Sequence, residues 1–377
     1  MGWFARWGMI LTRWTERWVP DSWVIAVMLT LFVALLALTV GGASPSAALM
    51  AWGDGLWALL SLTMQFTVMM VVAYACAVSP PLKRALVWIA SRPNPDKPRQ
   101  AIMLMALFST VMAWLNWALS LVISAAFLPF IVRSNPRVDF RLLVTCAYLG
   151  VGTVWHTGLS GSAPLIMATP NNFLIKAGVI AETIPTTETM FASFNLWYAL
   201  LAGLSGILIA AVLVPPDSEA VTASPEQADR LESMHEPVVK PETMRPAEKM
   251  EWWPGWSIMA SGSMLLYFVL QVREKGFGQT WTIDNYNLLF LALGLLLHWH
   301  PKSFLHACEQ GIKNTWGIVI QYPLYAGIFG LMSYTALGEV LAEFFVSASS
   351  PRAFPSIVYL YSGVLNYFVP SGGSKWI

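Results

Sequence analysis

The chain has 377 residues, 56% of them hydrophobic and only 11% charged, with 19 Trp and 18 Met. That composition places it among polytopic membrane proteins, with the lipid bilayer as its surroundings. The net charge of +1 comes with no basic domain, which excludes nucleic acid as a partner.

The N-terminal stretch combines Arg6, Arg13 and Arg17 with several Trp. It reads as an interfacial helix, with no cleavable signal peptide before the first full-length span. Apolar runs follow at 22–40, 56–79, 101–132, 142–155, 194–214, 256–272, 286–299, 315–332 and 353–369. Residues 335–348 alternate Ala336, Leu337, Val340, Leu341, Phe344 and Phe345 with Glu339 and Glu343, the pattern of a short amphipathic surface helix. Cys76, Cys146 and Cys308 sit singly in or beside apolar runs, as core thiols rather than ligands or a disulfide framework.

The run 101–132 fixes the topology. Lys97 and Arg99 precede it, and Arg133, Arg137 and Arg141 follow it. Cytoplasmic loops collect Lys and Arg, so both ends lie on one side. A single helix of this length would rise about 48 Å against a hydrocarbon core of ~30 Å. A re-entrant helical hairpin satisfies both constraints, and transporters build substrate sites from such elements. With a cytoplasmic N-terminus, only Lys176, Arg273, Lys275, Arg352 and Lys375 of the 22 Lys and Arg fall outside.

These signals divide the chain into five parts. Residues 1–50 hold the interfacial helix and first span; 51–214 form a first repeat, with hairpin 101–132 and an interrupted helix over 142–170. Residues 215–250, polar and almost without aromatics, read as a flexible cytoplasmic linker. Residues 251–306 add two spans, and 307–377 begin a second repeat. Gly55 leads to Gln65-Phe66 as Gly311 leads to Gln321-Tyr322, and Leu115-Asn116-Trp117 is echoed by Leu365-Asn366-Tyr367. The charge pattern runs the two copies in opposite directions, and inverted repeats hold substrate and coupling ions near the midplane. About 90 residues of the first copy have no counterpart in the second before Ile377, which reads as a truncated product or fragment. The expected fold class is therefore all-α and polytopic, with inverted-topology repeats, re-entrant hairpins and interrupted helices.

The densest polar constellation is Trp155-His156-Thr157-Gly158-Leu159-Ser160-Gly161-Ser162, where glycines interrupt a short span and hydroxyls accompany the exposed backbone. Half-helix N-termini of this kind favour anions. Asn116 and Ser120 occupy the first hairpin, and Asn366, Ser371, Gly372, Gly373, Ser374 and Lys375 form a similar donor-rich element. Gln65 and Gln321 are candidates to line a midplane cavity or to bridge helices. His156 could carry a proton, though no acidic residue lies near it in sequence. The apolar runs contain no Asp or Glu, so a coupling ion would need hydroxyls, amides and carbonyls, which tilts the choice toward Na⁺ over H⁺. No metal-ligand set is identified, and no cofactor is expected.

Taken in order, Trp52-Gly53-Asp54-Gly55, Met64-Gln65, Cys146-Ala147-Tyr148, Gly158 through Leu165, Ala168-Thr169-Pro170, Leu295-Leu296-Leu297-His298, Gln321-Tyr322-Pro323, Tyr325-Ala326-Gly327 and Asn366 to Gly373 resemble the short-chain fatty acid transporter family. The resemblance covers essentially the whole chain. It implies a non-enzymatic, multi-pass carrier of the bacterial inner membrane for monocarboxylates such as butyrate or acetoacetate. It also implies kinship with inverted-repeat carboxylate carriers that have two re-entrant hairpins and often move as dimers by an elevator mechanism, so a homodimer is expected. Family members continue past Ile377, and Lys375 stands where a different polar residue is expected. The resulting reading is cation symport by alternating access. The carboxylate sits among the Asn116 hairpin, the Thr157–Ser162 break and the Asn366–Ser374 element, and Trp and Met side chains take the acyl tail. The alternatives are a carrier for other organic anions such as dicarboxylates, or a membrane-embedded enzyme using His156 as base.

Overall fold

The computed structural model describes residues 3–233 and 238–368, all helix, turn or loop, with no strand among them. In chain order the helices are α1 (Trp3–Trp18), α2 (Ser22–Thr39), α3 (Pro45–Gly55), α4 (Leu60–Ala77), α5 (Pro80–Ala90), α6 (Pro98–Leu115), α7 (Trp117–Ser134), α8 (Phe140–Thr153), α9 (Ser162–Ala168) and α10 (Phe173–Lys176). They continue as α11 (Ser193–Val212), α12 (Pro225–Ser233), α13 (Pro246–Glu251), α14 (Pro254–Lys275), α15 (Phe277–Thr280), α16 (Ile283–His298), α17 (Pro301–Ile312), α18 (Trp316–Ser333), α19 (Leu337–Ala348) and α20 (Phe354–Phe368). Among the described residues seven helical segments are long and apolar enough to cross a membrane, and α18 with α19, bent by 73°, adds an eighth when counted as one span. The chain is an all-α polytopic membrane protein.

Local chemistry sets the helix starts. Asp21, Ser44, Asp139 and Thr282 cap α2, α3, α8 and α16 by accepting first-turn N–H groups, and Pro opens α3, α5, α6, α14 and α17 where no N–H is needed. The elements also repeat in length. Helices α3 to α6 have 11, 18, 11 and 18 residues; α17 to α20 have 12, 18, 12 and 15. Gly55 ends the first of one series and Gly311 lies at the end of the first of the other.

The chain forms two compact units. One comprises residues 1–63 and 317–377. Its core is Val33, Ala37, Ala48, Leu331 and Leu337, and two helices cross so closely that a Cβ on Gly55 would lie 2.6 Å from the Gly330 Cα. There the Gln321 amide donates to Ser22 Oγ at 2.6 Å.

The other unit, residues 64–316, is built around α6, α7 and α8. Helices α6 and α7 pack side by side as two arms over Pro98–Ser134, where the sequence predicts a re-entrant hairpin over 101–132. Ser120 Oγ donates across the pair to the Ser109 carbonyl at 3.1 Å, Phe108 and Phe127 face each other at 4.6 Å, and Arg137 pairs with Asp96 where the two ends meet. Each arm rises ~27 Å, close to the ~30 Å hydrocarbon core, so either is long enough to span by itself.

Residues 215–250, expected to be a flexible linker, carry α12 and most of α13, and part of the stretch packs on the base of α6 and α7. Ala228 is fully buried in the α6–α8 core, Arg133 pairs with Asp229, and the Phe140 N–H donates to the Val221 carbonyl at 2.8 Å. Asp139 anchors the junction, accepting from the Val221 and Leu142 N–H groups, both at 2.8 Å, and from Arg141 at 3.0 Å. Burial works to raise the Asp139 pKa, but these hydrogen bonds and the Arg141 charge outweigh it and leave the value below the usual carboxylate range. A depressed folded-state pKa contributes stability above the unfolded pKa of about 3.9 and loses it as pH falls through the folded value. Docking of 219–229 should therefore hold at neutral pH and loosen below about pH 4. Asp139→Ala should free it at neutral pH at a cost of about 1–2 kcal/mol. Hydrogen exchange at the Val221 amide measures both; unchanged protection in the variant would contradict the anchor.

Candidate functional site

The hairpin turns at one residue. Asn116 leaves the helical region (φ −155°, ψ 116°), ends α6 and caps α7, its Oδ1 accepting from the Leu119 N–H at 3.0 Å. Facing it is the interruption of the α8 segment: α8 ends at Thr153, Trp155–Thr157 form a single 3₁₀ turn, and α9 starts at Ser162.

The two breaks are bonded to each other. Ser160 Oγ accepts from the Trp117 N–H at 2.9 Å, and the Trp114 carbonyl accepts from the Leu159 N–H at 2.8 Å. Gly158 makes the approach possible, since a Cβ there would lie 2.7 Å from the Trp114 Cα. A third element closes the group. The Tyr286 hydroxyl donates to the Leu115 carbonyl at 2.5 Å, and Trp281 Nε1–H donates to the Leu159 carbonyl at 3.2 Å. The Ile283 N–H reaches Thr169 Oγ1 at 3.2 Å, so the start of α16 lies level with the break.

The Trp114 and Leu115 carbonyls at the end of α6 are thus satisfied by neighbours, whereas donors are left over. Trp117 Nε1 is buried without an acceptor at the positive end of the α7 dipole, and Asn116 Nδ2, buried beside it, makes no well-aligned bond but lies within reach of the Tyr286 hydroxyl. A buried donor left unpaired costs about 1–3 kcal/mol, so these groups are suited to receive an acceptor oxygen. Neither the two breaks nor the Trp281–Tyr286 segment contributes a Lys or Arg to this group.

The structure brings together many of the residues expected from sequence. Asn116, Ser120 and Ser160 are fully buried, and Thr157 and Ser162 nearly so. Thr157 Oγ1 donates to the Val154 carbonyl, and Asn195 of α11 donates to the Thr157 carbonyl at 2.9 Å. Gly161 admits the His156 carbonyl, which a Cβ would meet at 2.6 Å. His156 itself is exposed, its ring beside Trp155 and Tyr198 rather than in the buried cluster. Gln65 and Gln321 fall in different units, Gln65 bonded to Asp284 and Gln321 to Ser22. Asn366 lies inside the helical run of α20, where Asn116 by contrast breaks its helix. Ser371, Gly372, Gly373, Ser374 and Lys375 lie outside the described residues.

Sequence reasoning missed Trp281, Asp284, Tyr286, Asn287 and Asn195. A signal existed for the first four: Thr282 followed by Asp284 in a first turn is a helix start, which moves the span beginning from 286 back to 283.

The family model described as short chain fatty acid transporter matches residues 3–377. A relative from Escherichia coli (strain K12) is 34% identical over 371 residues, covering 97% of this chain and 81% of its own length. One from Haemophilus influenzae (strain ATCC 51907 / DSM 11121 / KW20 / Rd) is 30% identical over 379 residues, covering 99% and 83%. Both bear the name "Putative short-chain fatty acid transporter". No solved structure gives a significant match.

Proposed function

Because the chain belongs to the short-chain fatty acid transporter family, we propose that it takes up monocarboxylates such as butyrate and acetoacetate across the bacterial inner membrane by cation symport and alternating access. The observation that carries this reading is the pair of buried N–H donors of Asn116 and Trp117 at the start of α7, the Trp117 one without an acceptor and the Asn116 one within reach of the Tyr286 hydroxyl. They suit one carboxylate, held by donors and a helix dipole rather than by a full cation. Trp155, whose ring lies 6.4 Å from that of Trp117, offers apolar surface for a short acyl tail. A dicarboxylate would need a second donor set.

In this reading the N-terminus is cytoplasmic, because the basic hairpin base (Lys97, Arg99, Arg133, Arg137, Arg141) then faces the cytoplasm. The α3–α6 and α17–α20 series are copies running in opposite directions across the membrane. The working assembly is a homodimer.

The test is uptake into proteoliposomes of labelled acetate, butyrate, acetoacetate and succinate under an imposed Na⁺ or proton gradient. Butyrate and acetoacetate should accumulate, with succinate below about one-tenth of their rate, as expected when one charged group lacks a partner. Succinate accumulating in place of butyrate would overturn the substrate class.

A further inference from the structure

Gln65 of α4 joins two side chains of α16. Its Nε2 donates to Asp284 Oδ1 at 2.7 Å, and its backbone carbonyl accepts from Asn287 Nδ2 at 2.8 Å. These bonds fix the orientation of the Asn287 amide: Nδ2 faces the carbonyl, and Oδ1 is the remaining atom. That oxygen is buried and has no hydrogen-bond partner, in a residue only 7% exposed. Asp284 and Asn287 are three residues apart on one helix and so share a face.

The depth of this group follows from α16. The helix ends at His298, beside Trp299 and near Lys302, residue types that mark a membrane interface. Asp284 stands ~21 Å of helix rise from that end, inside a ~30 Å core. The neighbouring Ile283 and Tyr286 bond to Thr169 and Leu115, at the level of the two helix breaks. Among the described residues Asp284 has no Lys or Arg within ion-pair distance. Asp284 is exposed at this level with a donor on one oxygen only, and the orphaned Asn287 oxygen beside it is buried, a pair of oxygens that a small positive charge reaching Asp284 could share.

We propose that Asp284 and Asn287, held in place by Gln65, form a Na⁺ site that couples cation entry to substrate movement. The site deepens the symport reading above and rests on it. It flanks Tyr286 within the same turn of α16, and the Tyr286 hydroxyl holds the hairpin tip at Leu115. A cation drawing Asp284 and Asn287 together therefore acts on the helix end that also braces the substrate-facing tip.

The experiment measures labelled butyrate accumulation by reconstituted wild type, Asp284→Asn and Asp284→Glu. Each is assayed across Na⁺ concentrations at fixed pH, and again under a proton gradient without Na⁺. Wild type should be activated by Na⁺. Asp284→Asn keeps an acceptor for Gln65 but should lose that activation at least tenfold. Asp284→Glu should restore activation with a shifted half-activating Na⁺ concentration, a response that a merely structural role for the side chain would not give. An Asp284→Asn activation curve superimposable on wild type would overturn the site while leaving symport intact. Wild-type uptake driven by protons and indifferent to Na⁺ would overturn the Na⁺ assignment. Wild-type uptake indifferent to both gradients would overturn symport and the site together.

Discussion

Asn116→Asp should abolish substrate accumulation, by about 10- to 100-fold, while the protein remains folded in the membrane. The carboxylate keeps an oxygen where Oδ1 accepts from Leu119, so the cap of α7 survives. What changes is the other arm: the buried Nδ2–H donor becomes an oxygen of like charge to the substrate. Losing a hydrogen bond to a charged group costs about 1.5–3 kcal/mol, which gives the stated range at tenfold per 1.4 kcal/mol. Uptake of labelled butyrate at matched protein density measures it, alongside the melting temperature of the purified protein. Wild-type uptake by the variant would remove Asn116 from the substrate site.

Gly158→Val should be worse for the fold than for any single contact. Its Cβ would press on the backbone of Trp114, which cannot swing aside as a side chain could. Overpacking of this kind costs about 1–3 kcal/mol. The hydrogen bonds Leu159–Trp114 and Trp117–Ser160 separate with it, adding about 0.5–1.5 kcal/mol each. The expected result is a lowered melting temperature together with uptake reduced at least tenfold. Gly152→Ala is the control, because a Cβ there meets nothing within 4 Å and should leave both quantities unchanged. Equal behaviour of the two variants would mean that the close approach at Gly158 does not matter.

Much of the scaffold was legible because the bilayer restricts the options. Basic residues at both ends of one over-long apolar run pointed to a chain that turns back, and α6 and α7 are two paired arms with their ends joined through Arg137 and Asp96, each long enough to span by itself. Asn116 and Ser160 stood out as polar residues in breaks, and the breaks do meet. What could not be read was partnership across distance. Nothing local ties Tyr286 to Leu115 or Asn195 to Thr157. Asp284 was lost for a simpler reason: hydropathy begins the span at 286, whereas the backbone begins the helix at Ile283, so the carboxylate was counted as loop. His156 attracted notice as the titratable member of its motif, yet its ring is exposed beside Tyr198. The polar composition of 215–250 hid the few positions, Val221 and Ala228 among them, that dock it.

The bonding of the hairpin tip limits how a passage could open. A flap made of α6 and α7 alone would have to part Trp117 from Ser160, Trp114 from Leu159 and Leu115 from Tyr286, and also strip Ser109 from the Cys146 carbonyl it reaches at 2.6 Å. At about 0.5–1.5 kcal/mol each, parting these four bonds together would cost a substantial share of the ~5–15 kcal/mol that stabilises a whole domain. A motion that carries α6 through α9 and the start of α16 as one piece breaks none of them. A solute reaching these breaks from either side of the membrane would then meet the same unaltered set of donors, and selectivity would be identical for entry and for release.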